Sequence, residues 1–332
     1  MNLLVFLSDR CNMACDYCFL DLNGKPATVL SEDAAARALD RHLEAHGARA
    51  RVTILGGEPL LHPELALSVA RRARAGGAKV TLVTNATKAD KGLVAELAGL
   101  GVELSASVDG PAEVHDLHRR MAGGAPSHAA VAAALASLDP REWRVNLVLS
   151  PDTAGRLLSS VEWLRAKGFS RVSFHCDVRA PWTDAEHAAL VAALDGFLKY
   201  ARTVRGALTL WHLDGFRAPA PVAAGDELVL GADGRYYASD AYLAKPYGAA
   251  LEGAVGDARS GPDMARRAAI LDAAVEGVRD ALGGASVYTP PVESWLLAKI
   301  QGRDAAAATR AFARADGALG AALSPLAREA VA

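Results

Sequence analysis

Over its first two hundred residues the chain alternates short runs of β-forming residues with longer helical segments, and this rhythm restricts the fold more than any other feature. Six runs have strand character: "LLVFLS" (3–8), "RVTIL" (51–55), "KVTLVT" (79–84), "VELSASV" (102–108), "RVNLVLS" (144–150) and "RVSFH" (171–175). Each precedes a proline-free segment able to form a helix, at 33–45, 64–75, 88–97, 128–138, 154–167 and 184–204. Repeats of this length build a parallel sheet, because a crossover helix returns the chain to the start of the next strand. "SEDA" at Ser31 and "TDAE" at Thr183 place an oxygen acceptor ahead of the first helical turn and acids within it, which satisfies the orphan N–H groups and the helix dipole. Strands two to six read as nearly continuous apolar runs, as in a sheet covered on both faces. Six such units make either an open doubly wound sheet or an incomplete barrel, and periodicity does not choose between them. Both put ligand sites at the carboxyl ends of the strands.

After about residue 205 the rhythm breaks. "LTLWHLDGF" is followed by "DELVLGADGRYYASDAYL", in which Asp233-Gly234 between β-type runs signals a hairpin. From residue 261 the chain reads as helical to its end. The expected organisation is a first domain over 1–205 and a second, α+β region over 206–332. The 36 basic and 38 acidic residues give a net charge of −2 with no basic stripe, so neither a nucleic acid nor an anionic membrane is an expected partner. No run reaches the roughly 18 apolar residues of a spanning helix, and the amino terminus lacks a basic leader with a small-residue cleavage site. A cytoplasmic location is expected. Four cysteines in 332 residues are too few for a disulfide scaffold, so their placement carries the information.

Three of them, Cys11, Cys15 and Cys18, stand in "SDRCNMACDYCF" directly after the first strand; Cys176 is alone. A C-x3-C-x2-C triplet on one loop lets three thiolates converge on a soft metal centre. A structural zinc site needs four ligands, and no second Cys or Cys/His pair is near in sequence. His115, His118 or Cys176 could complete one through space. Simple apolar packing gives no reason for this spacing beside Asp9, Arg10 and Asp16. An iron–sulfur cluster with three protein ligands and one open iron suits the triplet best.

The same residues carry a resemblance. Cys11-x3-Cys15-x-Tyr17-Cys18 resembles the cluster motif of the radical S-adenosylmethionine (radical SAM) superfamily, including the aromatic residue before the last cysteine. After the second strand, Gly56-Gly57-Glu58-Pro59 resembles the family motif that receives the amino group of S-adenosylmethionine. "TNAT" after the third strand is similar to the family's Thr-Asn-Gly, and "SASVDGPAEVHDLHR" resembles a stretch of the sulfatase-maturing, SPASM-type peptide-modifying group. The resemblance spans about residues 1 to 175. It implies a partial (β/α)6 TIM-like barrel, one [4Fe–4S] cluster, S-adenosylmethionine, and a 5′-deoxyadenosyl radical that abstracts hydrogen from a substrate. It also implies an electron donor such as flavodoxin or ferredoxin. Cluster potentials reach about −700 mV. In this reading Tyr17, Gly56, Gly57, Glu58, Pro59, Asn85, Ser107 and Arg119 contact the cofactor, with Ser107 and Arg119 on its carboxylate, where a planar fork binds both oxygens. The two glycines would allow close backbone approach to the ligand, and Asp109 would organise a turn.

"DGRYYASDAYL" (233–243) keeps the hairpin, tyrosines and aspartate of a SPASM-like signature but has Ala238-Ser239 in place of Pro-Cys, and no cysteine follows 176. One cluster per chain is expected, with a degenerate module serving as lid or substrate platform. Cys176, at the end of the sixth strand, could give a hydrogen atom to a substrate radical, or simply be buried as unpaired cysteines usually are. His175 and Asp177 could move a proton, and Trp182, Tyr236 and Tyr237 could line the cavity. The first functional reading is cross-linking or epimerisation of a ribosomally made peptide. Strand one begins near residue 3, so leader recognition is expected from a separate peptide-binding protein or the C-terminal region. The alternatives are an oxidoreductase or epimerase of a small metabolite such as an aminosugar, and a non-catalytic iron–sulfur sensor or scaffold.

Overall fold

The computed structural model describes residues 1–18, 20, 27–204, 207–210, 227–244, 247–284 and 289–329. Most of "LTLWHLDGF" lies outside them. Six βα units run in order: β1 (Asn2–Phe6) and α1 (Glu32–His46), β2 (Arg51–Leu55) and α2 (Pro63–Ala75), β3 (Lys79–Thr84) and α3 (Lys91–Gly99). Then come β4 (Val102–Ser107) with α4 (Ala112–His118) and α5 (His128–Ala136), β5 (Trp143–Leu149) with α6 (Leu157–Ala166), and β6 (Arg171–Cys176) with α7 (Asp184–Thr203). Ser31 Oγ accepts from the Ala34 N–H, and Thr183 with Glu186 forms a reciprocal capping box. The short α4 was not anticipated: its seven residues are too few for periodicity to show.

The C-terminal region continues the same sheet. β7 (Thr209–Leu210) pairs parallel with β6, and β8 (Glu227–Leu230) pairs parallel with β1. The Asp233-Gly234 turn, with Gly234 at φ 76°, leads into β9 (Arg235–Tyr237), antiparallel to β8. α8 (Tyr247–Gly253), β10 (Ala254–Asp257) and β11 (Gly261–Pro262) follow, giving the order β11-β10-β9-β8-β1-β2-β3-β4-β5-β6-β7. Eight strands, β8 through β7, are thus mutually parallel, the backbone of a partial barrel. α9 (Met264–Ala281), α10 (Thr289–Ile300) and α11 (Ala305–Glu329) complete the chain. α11 lies on α7 and β6, while α9 and α10 close a small core over Ala241 and Ala244 of the turn after β9. None of the described helices is long and apolar enough to cross a membrane.

The strands are not the continuous apolar runs expected. On the helix-facing side lie Val52, Ile54, Val80, Leu82, Val145, Leu147, Val172 and Phe174, all in the main core. The inner side of the sheet alternates with them and is polar. Glu103 accepts from Thr81 Oγ1 at 3.5 Å and lies 3.9 Å from Arg144 and 3.7 Å from Arg171. Arg144 Nε reaches Ser105 Oγ at 3.3 Å, and Ser173 Oγ donates to Asn146 Oδ1 at 2.9 Å. Single polar residues flanked by Val, Leu and Phe do not interrupt a β-forming run, which is why a period of two read as an uninterrupted strand.

Packing on the outer side is aromatic where β6 meets α7. Phe174 and Phe197 are fully buried with ring centroids 5.3 Å apart at 84°, an edge-to-face pair. Phe174→Ala is expected to cost about 3–5 kcal/mol of unfolding free energy, measured by urea denaturation of the metal-free protein.

Candidate active site

A cavity of about 910 Å³ opens at the carboxyl ends of β1 to β6, and Cys11, Cys15 and Cys18 all border it. They sit on the loop leaving β1. That loop is fixed mainly by backbone bonds: Ala14 N–H to Arg120 O (2.8 Å), Asp16 N–H to His118 O (3.2 Å), and Ala122 N–H to Asn12 O (2.9 Å). Burial pushes the Cys11 thiol up to about 12, against the opposing Met13 N–H, which donates to its sulfur at 3.3 Å. Burial likewise pushes Cys15 up to about 11, with Arg119 opposing, so all three thiols, Cys18 included, are neutral until a metal takes their protons.

The Gly56-Gly57-Glu58-Pro59 segment lies on the backbone of this loop. Gly57 N–H donates to Ser8 O and Glu58 N–H to Arg10 O, both at 2.8 Å. A Cβ on Gly57 would stand 2.0 Å from Arg10 O, and Gly56 combines φ 146° with a Cβ position 2.8 Å from Ser8 O. The glycines therefore allow close approach to the cysteine loop itself, and both also border the cavity. Glu58, expected to face an ammonium group, has its carboxylate engaged by protein. It accepts from Leu60 N–H (2.9 Å), Thr84 Oγ1 (2.6 Å) and Asn85 N–H (2.7 Å), stapling the end of β2 to the end of β3. Burial pushes its pKa up to about 7 despite these donors. It still borders the cavity, and Pro59 opens the short 3-10 turn that follows. Asn85 donates to Asn12 Oδ1 at 2.9 Å and lies 3.8 Å from Cys11 Sγ.

Opposite stands a buried ion pair. Arg119 donates from Nε and Nη2 to Asp109 at 2.9 and 3.1 Å, and Tyr17 donates to Asp109 Oδ2 at 2.5 Å. The Arg119 guanidinium lies 5.1 Å from the Tyr17 ring centroid and also reaches the Cys15 thiol. The fork expected on a cofactor carboxylate pairs through Nε and Nη2 with Asp109, and Asp109, read as a turn residue, is its counter-charge. Arg119 and Ser107 both border the cavity. The zinc alternative loses its histidines. His118 bridges Asp16 and Asp152 at 2.9 and 2.8 Å, and His115 accepts from Asp109 N–H at 3.4 Å while its other nitrogen meets Ser127 Oγ at 3.0 Å.

A family model described as the radical SAM superfamily matches residues 5–191, more than half of the chain. The chain belongs to the radical SAM superfamily. It is 25% identical over 180 residues to a cysteine-type anaerobic sulfatase-maturating enzyme of Clostridium perfringens (strain 13 / Type A), covering 50% of this chain and 49% of that enzyme. The match therefore spans about half the length of that curated relative. Among solved structures, native anSMEcpe with bound AdoMet superposes with TM-score 0.66 at 18% identity over 80% of each chain. Streptococcus suis SuiB bound to precursor peptide SuiA superposes with TM-score 0.58 at 16% identity, over 74% of this chain and 61% of that one. These likenesses establish the partial-barrel fold.

Radical SAM proteins bind a [4Fe–4S] cluster and S-adenosylmethionine, and the residues here fit that pair. Among the described residues no three Cys, His, Asp or Glu side chains gather tightly enough for a single ion. A tetrahedral zinc with bonds of about 2.3 Å needs sulfurs about 4 Å apart, whereas a four-iron cluster takes its cysteines at separate corners. Three thiols of one loop bordering the same cavity supply the ligands such a cluster takes. The cavity continues past them to Asn146, His175, Asp177, Arg179, Asp240 and Gln301. Asn146 was hidden in an apparently apolar strand, and Arg179 and Gln301 stand in segments without local signature. His175 is open to this space yet enclosed by protein. Burial, then the charges of Arg144 and Arg119, hold its pKa down to about 4. Cys176 also borders the cavity but is almost entirely buried. By strand alternation its side chain falls with Val172 and Phe174 in the main core; burial, then the charge of Asp316 of α11, raise its pKa. Trp182, Tyr236 and Tyr237 are packed in the cores rather than along the cavity.

Two variants test this construction. Asp109→Ala leaves a buried guanidinium unpaired and should cost about 3–5 kcal/mol in denaturant unfolding. Gly57→Ala should separate the two loops, read as a lower thermal midpoint of the metal-free protein.

Proposed function

We propose that this chain holds one [4Fe–4S] cluster through Cys11, Cys15 and Cys18, binds S-adenosylmethionine in the adjoining cavity, and acts on a ribosomally made peptide. The convergence of the three thiols with the Gly56–Pro59 segment at the strand ends carries the reading. When bound, the pair supplies the one-electron chemistry that starts hydrogen abstraction from a substrate, with the electron coming from a flavodoxin or ferredoxin. Peptide as substrate class is supported by the two neighbouring folds solved with peptides, anSMEcpe with Cp18Cys and SuiB with SuiA.

The chain's own residues divide the work. The Met13 N–H and the Asn85 amide face Cys11 Sγ and draw charge from it, which moves a cluster potential upward. Arg119, held by Asp109, puts a fixed positive charge beside Cys15 and the cavity. The rim of Ser107, Asn146 and His175 offers hydroxyl, amide and neutral imidazole groups to whatever occupies the space. His175 is unprotonated at neutral pH and offers a neutral ring nitrogen to a proton donor there, as a weak base. Leader recognition is assigned to a separate protein or to the C-terminal region.

Anaerobically reconstituted protein should contain about four iron and four sulfide per chain, as one cluster requires. Under strong reductant it should release 5′-deoxyadenosine from S-adenosylmethionine. Cys11→Ala, Cys15→Ala or Cys18→Ala should abolish the visible absorbance and this release together; release that survives any of them would refute the assignment.

A further inference from the structure

The segment after β6 sends one side chain to the cluster loop. Arg179 Nη1 donates to the carbonyl oxygen of Asp16 at 3.1 Å and to that of Cys18. Its charge is one of two, with Arg119, that act on the Cys18 thiol. The first half of the loop is anchored by the backbone bonds of Ala14 and Asp16 to residues 118 and 120. Beyond them Cys18 N–H bonds only locally, to Cys15 O at 3.1 Å, so among the described residues this arginine ties Cys18 itself to the barrel, alongside the bond its neighbour Tyr17 makes to Asp109.

Arg179 is itself held from outside the barrel. Its N–H donates to Asp177 Oδ1 at 2.8 Å, and its carbonyl accepts from Arg303 Nη1 at 2.9 Å. The carbonyl before it, of Val178, accepts from Ser294 Oγ at 3.2 Å. Ser294 is a fully buried residue of α10, and Arg303 stands between α10 and α11. The connection therefore runs from the C-terminal helices, through the segment after β6, to the last cysteine of the triplet.

We propose that Arg179 is a positioning residue of the radical centre, clamping Cys18 and placing a permanent positive charge beside it, and that α10 and the turn after it hold it there. The proposal rests on the reading of the three cysteines as cluster ligands. Arginine suits the task because it stays charged when partly buried and presents several donors in a fixed plane. A cation near the sulfurs stabilises the added electron and raises the potential, and a tie to the Cys18 carbonyl slows opening of the loop.

The test uses full-length reconstituted protein as wild type, Arg179→Met, Arg179→Lys and Arg303→Met. Three quantities are read: the rate of iron transfer to a chelator, the midpoint potential by spectroscopic redox titration, and amide hydrogen exchange of residues 10–18 in metal-free protein. Arg179→Met should lose iron several-fold faster, shift the potential more negative and speed exchange. Arg179→Lys should keep the potential near wild type and lose iron at an intermediate rate. Arg303→Met should keep the potential and lose iron faster than wild type. A potential unchanged in Arg179→Met overturns the charge role, and wild-type iron retention in Arg303→Met overturns the role of the helices. A wild-type protein that takes up no cluster would instead sink the cofactor reading, without reference to any variant.

Discussion

The buried pair of Asp109 and Arg119 is the interaction on which the site depends. Two charges removed from water are costly unless their remaining donors and lone pairs are filled. Here Asp109 receives two bonds from Arg119, one from the Tyr17 hydroxyl and one from the Val148 N–H at 3.0 Å. The carboxylate thereby joins the end of β4, the end of α4, strand β5 and the cluster loop. Tyr17 lies between Cys15 and Cys18, so any shift of the pair would displace two thiols. From behind, Ser127 Oγ donates to Arg119 O at 2.7 Å and also contacts His115. Burial, then the charge of Arg119, keep His115 near pKa 4, so it is a neutral hydrogen-bonding spacer.

Across the cavity the construction uses backbone rather than charge. The Gly56-Gly57 segment is pressed on Ser8 and Arg10 closely enough that a single methyl group would collide, and Glu58 closes the gap to Thr84 and Asn85. Backbone contact fixes position without spending side chains. Those on the inner face are left for a polar lining, from Ser107 through Asn146 to His175. An interior of this kind suits a cavity that must hold a polar cofactor, whereas an apolar filling would close the barrel as a core.

Much of the architecture could be read in order along the chain. Strand and helix positions follow from local periodicity, the hairpin from Asp233-Gly234, and the thiol triplet from a spacing contained within eight residues. Errors arose where one pattern served two purposes. Thr81, Ser105, Asn146 and Ser173 stand singly among β-forming residues and face inward, so alternation was mistaken for apolar continuity. Arg119 and Glu58, matched by motif to a ligand, also hold protein partners that no local pattern announces: Asp109 for the first, Thr84 and Asn85 for the second.

By itself the sequence determined the succession of βα units, the thiol triplet and membership of the radical SAM superfamily, because each is written in residues close together in the chain. Tertiary structure alone decided that β8 joins β1, that Cys176 is buried in the main core at the edge of the cavity, and that Arg179 grips a residue 161 positions before it. Those outcomes depend on which buried charges and carbonyls meet once the sheet curls. No local pattern encodes that, since the cost of burying a donor or a charge is settled by a partner the chain brings from elsewhere.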